Sequence, residues 1–186
     1  MSEADMLADE AYREWELLEY ERAAFLFFLA AAAEEKAAAG RHKWAAPNQA
    51  ILHELRGGYC LWESGDRARA AEYLEKVRGF DWKEARLWGD RRDFDKAYTY
   101  LLLTRAASGD KKAFAALFKE AVRVGEELDS PFSSVIPNQK KLLLGCLELD
   151  YAEGLETILS NVESSYIEKD AELQLVVSQA QKRLGM

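Results

Sequence analysis

GYCLWESGDRARAAEYLEKV, residues 58–77, is the stretch that decides the fold of this chain. Its centre, Ser64-Gly65-Asp66, is a tight-turn sequence between two segments of good helix formers, and its aspartate can cap the second segment. After the turn, Ala70, Leu74 and Val77 fall on one face of a helix. The stretch therefore predicts a helical hairpin, two helices joined by a short turn, with one apolar side.

The same arrangement returns further along the chain. Ser108-Gly109-Asp110 lies 44 residues after the first turn, and Phe114, Phe118 and Ala121 occupy offsets equivalent to those of the first helix face. A weaker match, Leu149-Asp150, follows about 40 residues later, again between two helical segments. A period of this length with one turn per unit is typical of stacked hairpins, each covering the apolar side of its neighbour.

The pattern Gly58-x-x-Leu61-x-x-x-Gly65-Asp66-x-x-x-Ala70-x-x-x-Leu74-x-x-Val77 resembles the tetratricopeptide repeat. The resemblance covers one unit well, the second partly and the third poorly. Glu54 stands at the usual tryptophan position, the closing proline is missing, and the period is longer than the 34 residues of that family. The resemblance implies a degenerate array of antiparallel hairpins that binds other proteins. The alternative is an irregular helical bundle in which the Gly-Asp turns coincide by chance.

The remainder of the chain agrees with an all-α fold. It has 186 residues, three prolines and almost no runs of β-branched residues, so we predict one domain, 1–186, of about seven to nine helices. The first helix is expected from a capping box at Ser2-Glu-Ala-Asp5 to about Ala39, with a possible break around residues 19–22. Residues 25–33 are apolar on all sides, which predicts that neighbouring helices cover them. Further capping boxes are expected at Asp150-Tyr-Ala-Glu153 and Ser165-Tyr-Ile-Glu168.

Charge narrows the classes of partner. The formal net charge is −8, from 33 acidic and 25 basic residues, whereas duplex-binding proteins normally carry a basic face. We therefore expect no nucleic acid. The longest apolar run, residues 23–33, is shorter than the roughly 20 residues of a membrane span, and the first 21 residues lack a basic signal region, so we expect no membrane and a cytoplasmic location. An acidic surface suits a basic protein partner, and the alternative is that the excess negative charge only keeps the protein soluble.

The sequence carries no motif for catalysis or for a metal. His42 and His53 lack the spacing of zinc or di-iron ligands, and Cys60 and Cys146 stand alone in helical segments. No nucleophile elbow or phosphate-binding glycine loop is present. We therefore predict a protein that is not an enzyme and that has no cofactor and no metal site.

Aromatic and arginine residues are concentrated between residues 59 and 100. Tryptophan, tyrosine and arginine dominate the energetics of protein interfaces, and residues beside turns form the variable edge of a helical stack. The predicted partner-binding residues are Trp82, Arg86, Trp88, Arg91 and Arg92. The competing interpretation is that these large side chains fill the joint between two hairpins.

Three functions stay open. The first is a non-catalytic protein-binding module. The second follows from the acidic all-α character and from residues 137–150, PNQKKLLLGCLELD, which are similar in style to immunity proteins of bacterial polymorphic toxin systems. That resemblance implies neutralisation of a toxin domain, with Glu10, Glu14 and Glu21 as a candidate inhibitory face. The third, an all-α enzyme or small-ligand carrier, requires a deep pocket with converging polar groups.

Overall fold

A computed structural model describes the backbone of residues 1–38, 46–82, 91–133 and 136–186, and the side chains of residues 1–38, 49–82, 93–133 and 138–186. The described backbone contains ten α-helices, one 3-10 helix and no strand, which confirms the predicted all-α class. The helices are α1 (Glu3–Glu16), α2 (Tyr20–Ala38), α3 (Ala46–Ser64), α4 (Arg67–Leu74), the 3-10 helix (Glu75–Gly79), α5 (Arg91–Ala107), α6 (Lys111–Glu127), α7 (Ile136–Glu148), α8 (Ala152–Asn161), α9 (Ser164–Ile167) and α10 (Ala171–Leu184).

The chain divides into two compact units, Met1–Asp81 and Trp82–Met186. In the first unit each of the helices α1 to α4 packs against the next one along the chain. In the second unit α5 pairs with α6 and α7 pairs with α8, and α7 also packs on α5. The second unit therefore contains two stacked hairpins, which α10 extends by packing on α7 and α8. A single domain over residues 1–186 stays a prediction.

The two matching turns have the same local geometry. Gly65 and Gly109 both adopt positive φ, 95° and 70°, a region in which glycine is not penalised. The following aspartates cap the next helix: Asp66 accepts a hydrogen bond from the Arg69 amide at 3.3 Å, and Asp110 accepts one from the Ala113 amide at 2.9 Å. The apolar residues predicted to face inward after both turns are buried: Ala70, Leu74, Val77, Phe114, Phe118 and Ala121.

Two predicted capping boxes are wrong. Asp150 has φ 52° and its carboxylate accepts a hydrogen bond from Arg183 Nε at 2.7 Å, so it does not cap α8. The last helix begins after Asp170, whose Oδ1 accepts the amides of Glu172 and Leu173 at 3.0 Å. Residues 164–167 form only the single turn α9. The Asp150 carboxylate therefore pairs with the Arg183 guanidinium, and Asp170 caps the last helix in place of Ser165.

The first predicted helix is interrupted. The capping box at Ser2 and Asp5 is confirmed, with the Asp5 amide 3.0 Å from Ser2 Oγ and the Ser2 amide 2.7 Å from Asp5 Oδ2. The helix ends at Glu16, and α2 begins at Tyr20, slightly before the expected position of the break. The turn passes through Leu18, which adopts φ 63°. The result is a hairpin in place of one long helix.

A buried polar cluster holds the loop after α6 in the second unit. Asp95 Oδ1 accepts the Ser133 amide at 2.8 Å and its Oδ2 accepts Asn138 Nδ2 at 3.1 Å. Gln139 Nε2 donates to the Ser133 carbonyl at 2.7 Å, and Asn161 Nδ2 donates to Ser133 Oγ at 3.1 Å. Because unpaired buried polar groups are costly, these bonds select one conformation of the loop.

Candidate protein-binding face

The predicted partner-binding residues are only partly described by the structure. Trp82 is 8% exposed and packs edge-to-face on Phe94, with the ring centroids 5.6 Å apart. This burial agrees with the competing interpretation that Trp82 fills the core. Arg86 and Trp88 lie outside the described residues. Arg91 and Arg92 form the first turn of α5, and their side chains lie outside the described part of the chain.

A different surface is exposed and apolar in the first unit. Phe25 and Leu29, one turn apart on α2, are 61% and 39% exposed, and Ala32 continues the same helix face. We call Phe25, Leu29 and Ala32 the α2 ridge. As predicted, neighbouring helices cover residues 25–33 on several sides, through α1, α3 and Tyr73 of α4, but they do not cover this face. Exposed apolar residues that lie together on one helix face mark interaction sites more often than scattered ones do.

The other faces of α2 are fully used by the fold. Ala23, Ala24, Phe27, Ala30 and Ala31 are buried, and α2 packs on both α1 and α3. Phe28 stacks on Tyr73 of α4 at 4.2 Å, and a Cβ placed on Gly57 of α3 would lie 2.4 Å from the Phe28 ring. The ridge is therefore the face of α2 that stays exposed after the helix has packed on α1 and α3 and Phe28 has contacted α4.

The corner before α2 adds a second exposed apolar element. Leu17 and Leu18 are 69% and 67% exposed. The left-handed backbone conformation of Leu18 is unfavourable for a bulky side chain. Glycine or asparagine would adopt this conformation more readily. The fold does not require leucine there, because the side chain is not buried. The corner lies two helical turns before Phe25 along the chain.

Acidic side chains surround this apolar surface. Residues 1–38 contain ten acidic and three basic side chains, so this hairpin, including its turn, holds seven of the eight net negative charges. Arg22 bridges the two helices, with its Nε 3.2 Å from Glu14 Oε1 and its Nη2 3.4 Å from Glu10 Oε1. Most of the other acids there are exposed, including Glu3, Glu16, Glu19, Glu21 and Glu35.

A small cleft lies between the start of α1 and the end of α2. Its volume is about 260 Å³, and its lining is Ser2, Glu3, Ala4, Ala33, Glu34, Lys36 and Ala37. Burial, and secondarily the charge of Asp5, raises the pKa of the Glu34 carboxyl. The cleft is smaller than the roughly 300–1,000 Å³ of ordinary ligand pockets, and its polar groups are those of a helix end. It suits one side chain of a partner better than a separate small molecule.

Buried reactive groups do not form a catalytic arrangement among the described side chains. His53 is stacked on Phe27 at 6.3 Å, its Nδ1 is buried without a hydrogen-bond partner, and burial lowers its pKa to about 4. Burial raises the pKa of the Cys146 thiol to about 12, which keeps it protonated and unreactive. Within the described side chains, no group of three His, Cys, Asp or Glu residues is placed to hold a metal.

None of the described helices combines the length and the apolar character needed to cross a bilayer.

Sequence reasoning missed the α2 ridge, although one signal was present. The acidic residues Glu10, Glu14 and Glu21 were singled out, but the ridge beside them was assigned to the core because residues 25–33 lack polar side chains. The helix α2 packs on α1 and α3 and contacts α4 through Phe28, and these neighbours still leave Phe25 and Leu29 exposed. In comparisons with known proteins, no family model, no curated protein and no solved structure matches the chain.

Proposed function

We propose that this protein is a non-catalytic protein-binding module, and that its α1–α2 hairpin is the binding face. The observation that carries the proposal is the exposed α2 ridge in the most acidic part of the chain. Apolar contacts supply most of the affinity of a protein interface, and surrounding charge selects the partner and speeds association. An acidic face of this kind favours a partner whose surface carries a net positive charge.

Two features of the hairpin support a preformed face. Edge-to-face contacts of Phe27 with Tyr12 at 5.1 Å and with Trp15 at 6.2 Å join α1 to α2 on the side away from the ridge. Trp15 also contacts Tyr59 of α3 at 6.3 Å. Aromatic pairs of this kind contribute about 0.5–1.5 kcal/mol each beyond the burial of their area. Binding to such a face requires little ordering, which lowers the cost of association.

The test is a capture experiment with matched variants. Three proteins are immobilised and exposed to an extract of the source cells. They are the wild type, the ridge variant Phe25→Gln/Leu29→Gln and the control variant Leu144→Gln/Leu175→Gln. Leu144 and Leu175 are similarly exposed apolar residues of the second unit, so the second variant controls for lost surface hydrophobicity. Glutamine keeps the helix propensity in both variants. A protein retained by wild type and by the control, and lost from the ridge variant, supports the proposal.

The captured protein is then purified and its affinity for all three chains is measured. We expect the ridge variant to bind about tenfold or more weakly, which is about 1.4 kcal/mol or more. Equal affinity for the ridge variant and wild type, or no partner specific to the ridge, would reject the α1–α2 hairpin as the binding face.

The second candidate function is an immunity protein that neutralises a toxin. The observation that favours it is the acidity of the hairpin, because a toxin that acts on nucleic acid presents a basic surface. Of the three glutamates of the candidate inhibitory face, Glu10 and Glu21 are exposed, while Glu14 is largely covered and paired with Arg22. Co-expression with the toxin encoded beside it should restore growth, and Glu10→Lys/Glu21→Lys should abolish the rescue. Growth arrest despite co-expression of wild type would reject this function.

A further inference from the structure

We infer that the segment docking on the α2 ridge is a basic, amphipathic α-helix of the partner protein. This inference rests on the proposed function and names the kind of element that the face accepts. Its evidence is the spacing of the exposed residues along α2, the charge beside them and the small size of Ala32, the last residue of the ridge.

The spacing of the exposed residues is that of a helix-pairing seam. Arg22, Phe25, Leu29, Ala32 and Lys36 are all exposed, and they follow one another at intervals of three, four, three and four residues. Intervals of this kind average 3.5 residues and define the line along which two helices pack side by side. A strand or an irregular loop has a repeat of two or none, so it does not match this line of side chains.

The shape of the seam also favours a helix. Ala32, between Leu29 and Lys36, has the smallest side chain of the line and allows a close approach of another helix axis. From Phe25 to Lys36 the seam spans about 16 Å at 1.5 Å per residue. A helix of about 12–16 residues covers that length, with two or three apolar side chains packing between Phe25, Leu29 and Ala32.

Charge decides the character of the partner helix. Glu21 and Glu35 lie one residue before Arg22 and Lys36 on the same side of the seam, and Glu10 and Glu14 lie on the α1 side. Lysine or arginine at the flanking positions of a partner helix would face these carboxylates, the arrangement that sets partner choice in paired helices. The seam's own Arg22 is already engaged by Glu10 and Glu14.

A second copy of this chain is the poorer occupant. Two such hairpins facing each other would bring together two surfaces that each hold seven net negative charges. Like charges across an interface oppose association by several kcal/mol in total. A basic helix removes the repulsion and gains attraction from the same residues.

The experiment uses the full chain and a synthetic probe. The probe is a fluorescein-labelled peptide of about 16 residues with leucines at intervals of three and four residues and lysines and alanines elsewhere, a pattern that forms one apolar stripe. A second peptide has the same composition with the leucines spread around the helix, and a third has glutamate in place of lysine. Binding is followed by fluorescence anisotropy, and oligomeric state by sedimentation of the unlabelled protein.

We expect the first peptide to bind wild type and Leu144→Gln/Leu175→Gln with equal affinity, and Phe25→Gln/Leu29→Gln about tenfold or more weakly. The peptide with scattered leucines should bind wild type about tenfold more weakly, because only its charge is retained. Glu10→Gln/Glu21→Gln should weaken binding about threefold and reduce its dependence on salt.

Four results would overturn the inference: no binding of the first peptide, equal binding of the scattered peptide, equal binding to the ridge variant, or a wild-type dimer that Phe25→Gln/Leu29→Gln dissociates. The proposed function fails separately, when the ridge variant captures the same proteins as wild type. A natural partner that requires the ridge while the helical peptide does not bind would reject the helix and keep the binding module.

Discussion

The helices α2 and α6 both carry several large apolar residues, but these residues are buried to different extents on the two helices. On α6 the apolar residues Phe114, Leu117, Phe118 and Ala121 are all buried, and the opposite face is charged. On α2 the ridge of Phe25, Leu29 and Ala32 is exposed although two helices already cover the other sides. Packing in the core explains why large apolar residues stand on the inner face of α6. It does not explain why the exposed residues of the α2 ridge are apolar. Such a surplus is the reason to assign the ridge to binding.

The two units also place their polar groups differently. The second unit buries Asp95, Ser133, Asn138 and Gln139 in hydrogen bonds that position a loop. The first unit concentrates acids on the outside of its α1–α2 hairpin. Buried hydrogen-bonded groups stabilise a single conformation of the fold, whereas solvated charges mainly attract or repel other molecules that approach the surface. The comparison predicts where substitutions affect stability and where they affect binding.

The largest effect is expected inside the second unit. Phe118 is buried and contacts Phe132 and Tyr151 edge-to-face at 5.5 and 5.6 Å. Phe118→Ala should reduce the free energy of unfolding by about 3–5 kcal/mol, since it removes these contacts and leaves a cavity. Urea unfolding followed by circular dichroism measures the loss, and hydrogen exchange locates it. A loss below about 1 kcal/mol would show that α6 is no better covered than α2.

A somewhat smaller effect is expected at the polar cluster. Asp95→Ala leaves the Ser133 amide and Asn138 Nδ2 without their acceptor, and should lower the free energy of unfolding by about 2–4 kcal/mol. Thr99→Val is the matched control, because Thr99 Oγ1 is buried without a hydrogen-bond partner one turn further along α5. The control should be neutral or slightly stabilising. Equal destabilisation by both variants would contradict the proposed clamp on the loop.

In the first unit, we expect the contribution of His53 to the free energy of unfolding to depend on pH. The folded-state pKa of His53 is about 4, lowered from 6.5 first by burial and then by the charge of Arg56. The unfolded chain therefore binds this proton more tightly. The stability that His53 contributes is complete above pH 6.5 and is lost as the pH falls towards 4, by about 3 kcal/mol. Urea unfolding at several pH values should show a shallower decline for His53→Gln than for wild type, and parallel curves would contradict the lowered pKa.

The smallest effect is expected on the α2 ridge itself. Phe25→Gln/Leu29→Gln should change the free energy of unfolding by less than about 1 kcal/mol, because both side chains are already largely solvated and glutamine keeps the helix. Thermal unfolding by circular dichroism measures this change alongside the binding tests. A large loss of stability would show that the ridge is part of the core. The apolar residues of α2 and α6 would then not differ in burial.

The helical hairpins could be predicted because their signals are local. Gly65 and Gly109 need only the preceding helix end and the following aspartate to form their turns, and the inward faces follow from the helical repeat. The residues that we propose for binding could not be predicted in the same way. The type of Trp82 and its place beside a turn predict a binding residue, whereas the side chain packs on Phe94 and is only 8% exposed.

The sequence by itself determined the all-α class, the two Gly-Asp turns and the acidic excess of residues 1–38, since these depend on neighbouring residues or on composition. Only the tertiary structure decided which apolar side chains stay outside. Phe25 and Phe28 stand three residues apart on one helix, and one is exposed while the other stacks on Tyr73. Burial depends on how many neighbouring helices reach each face, which no local pattern contains.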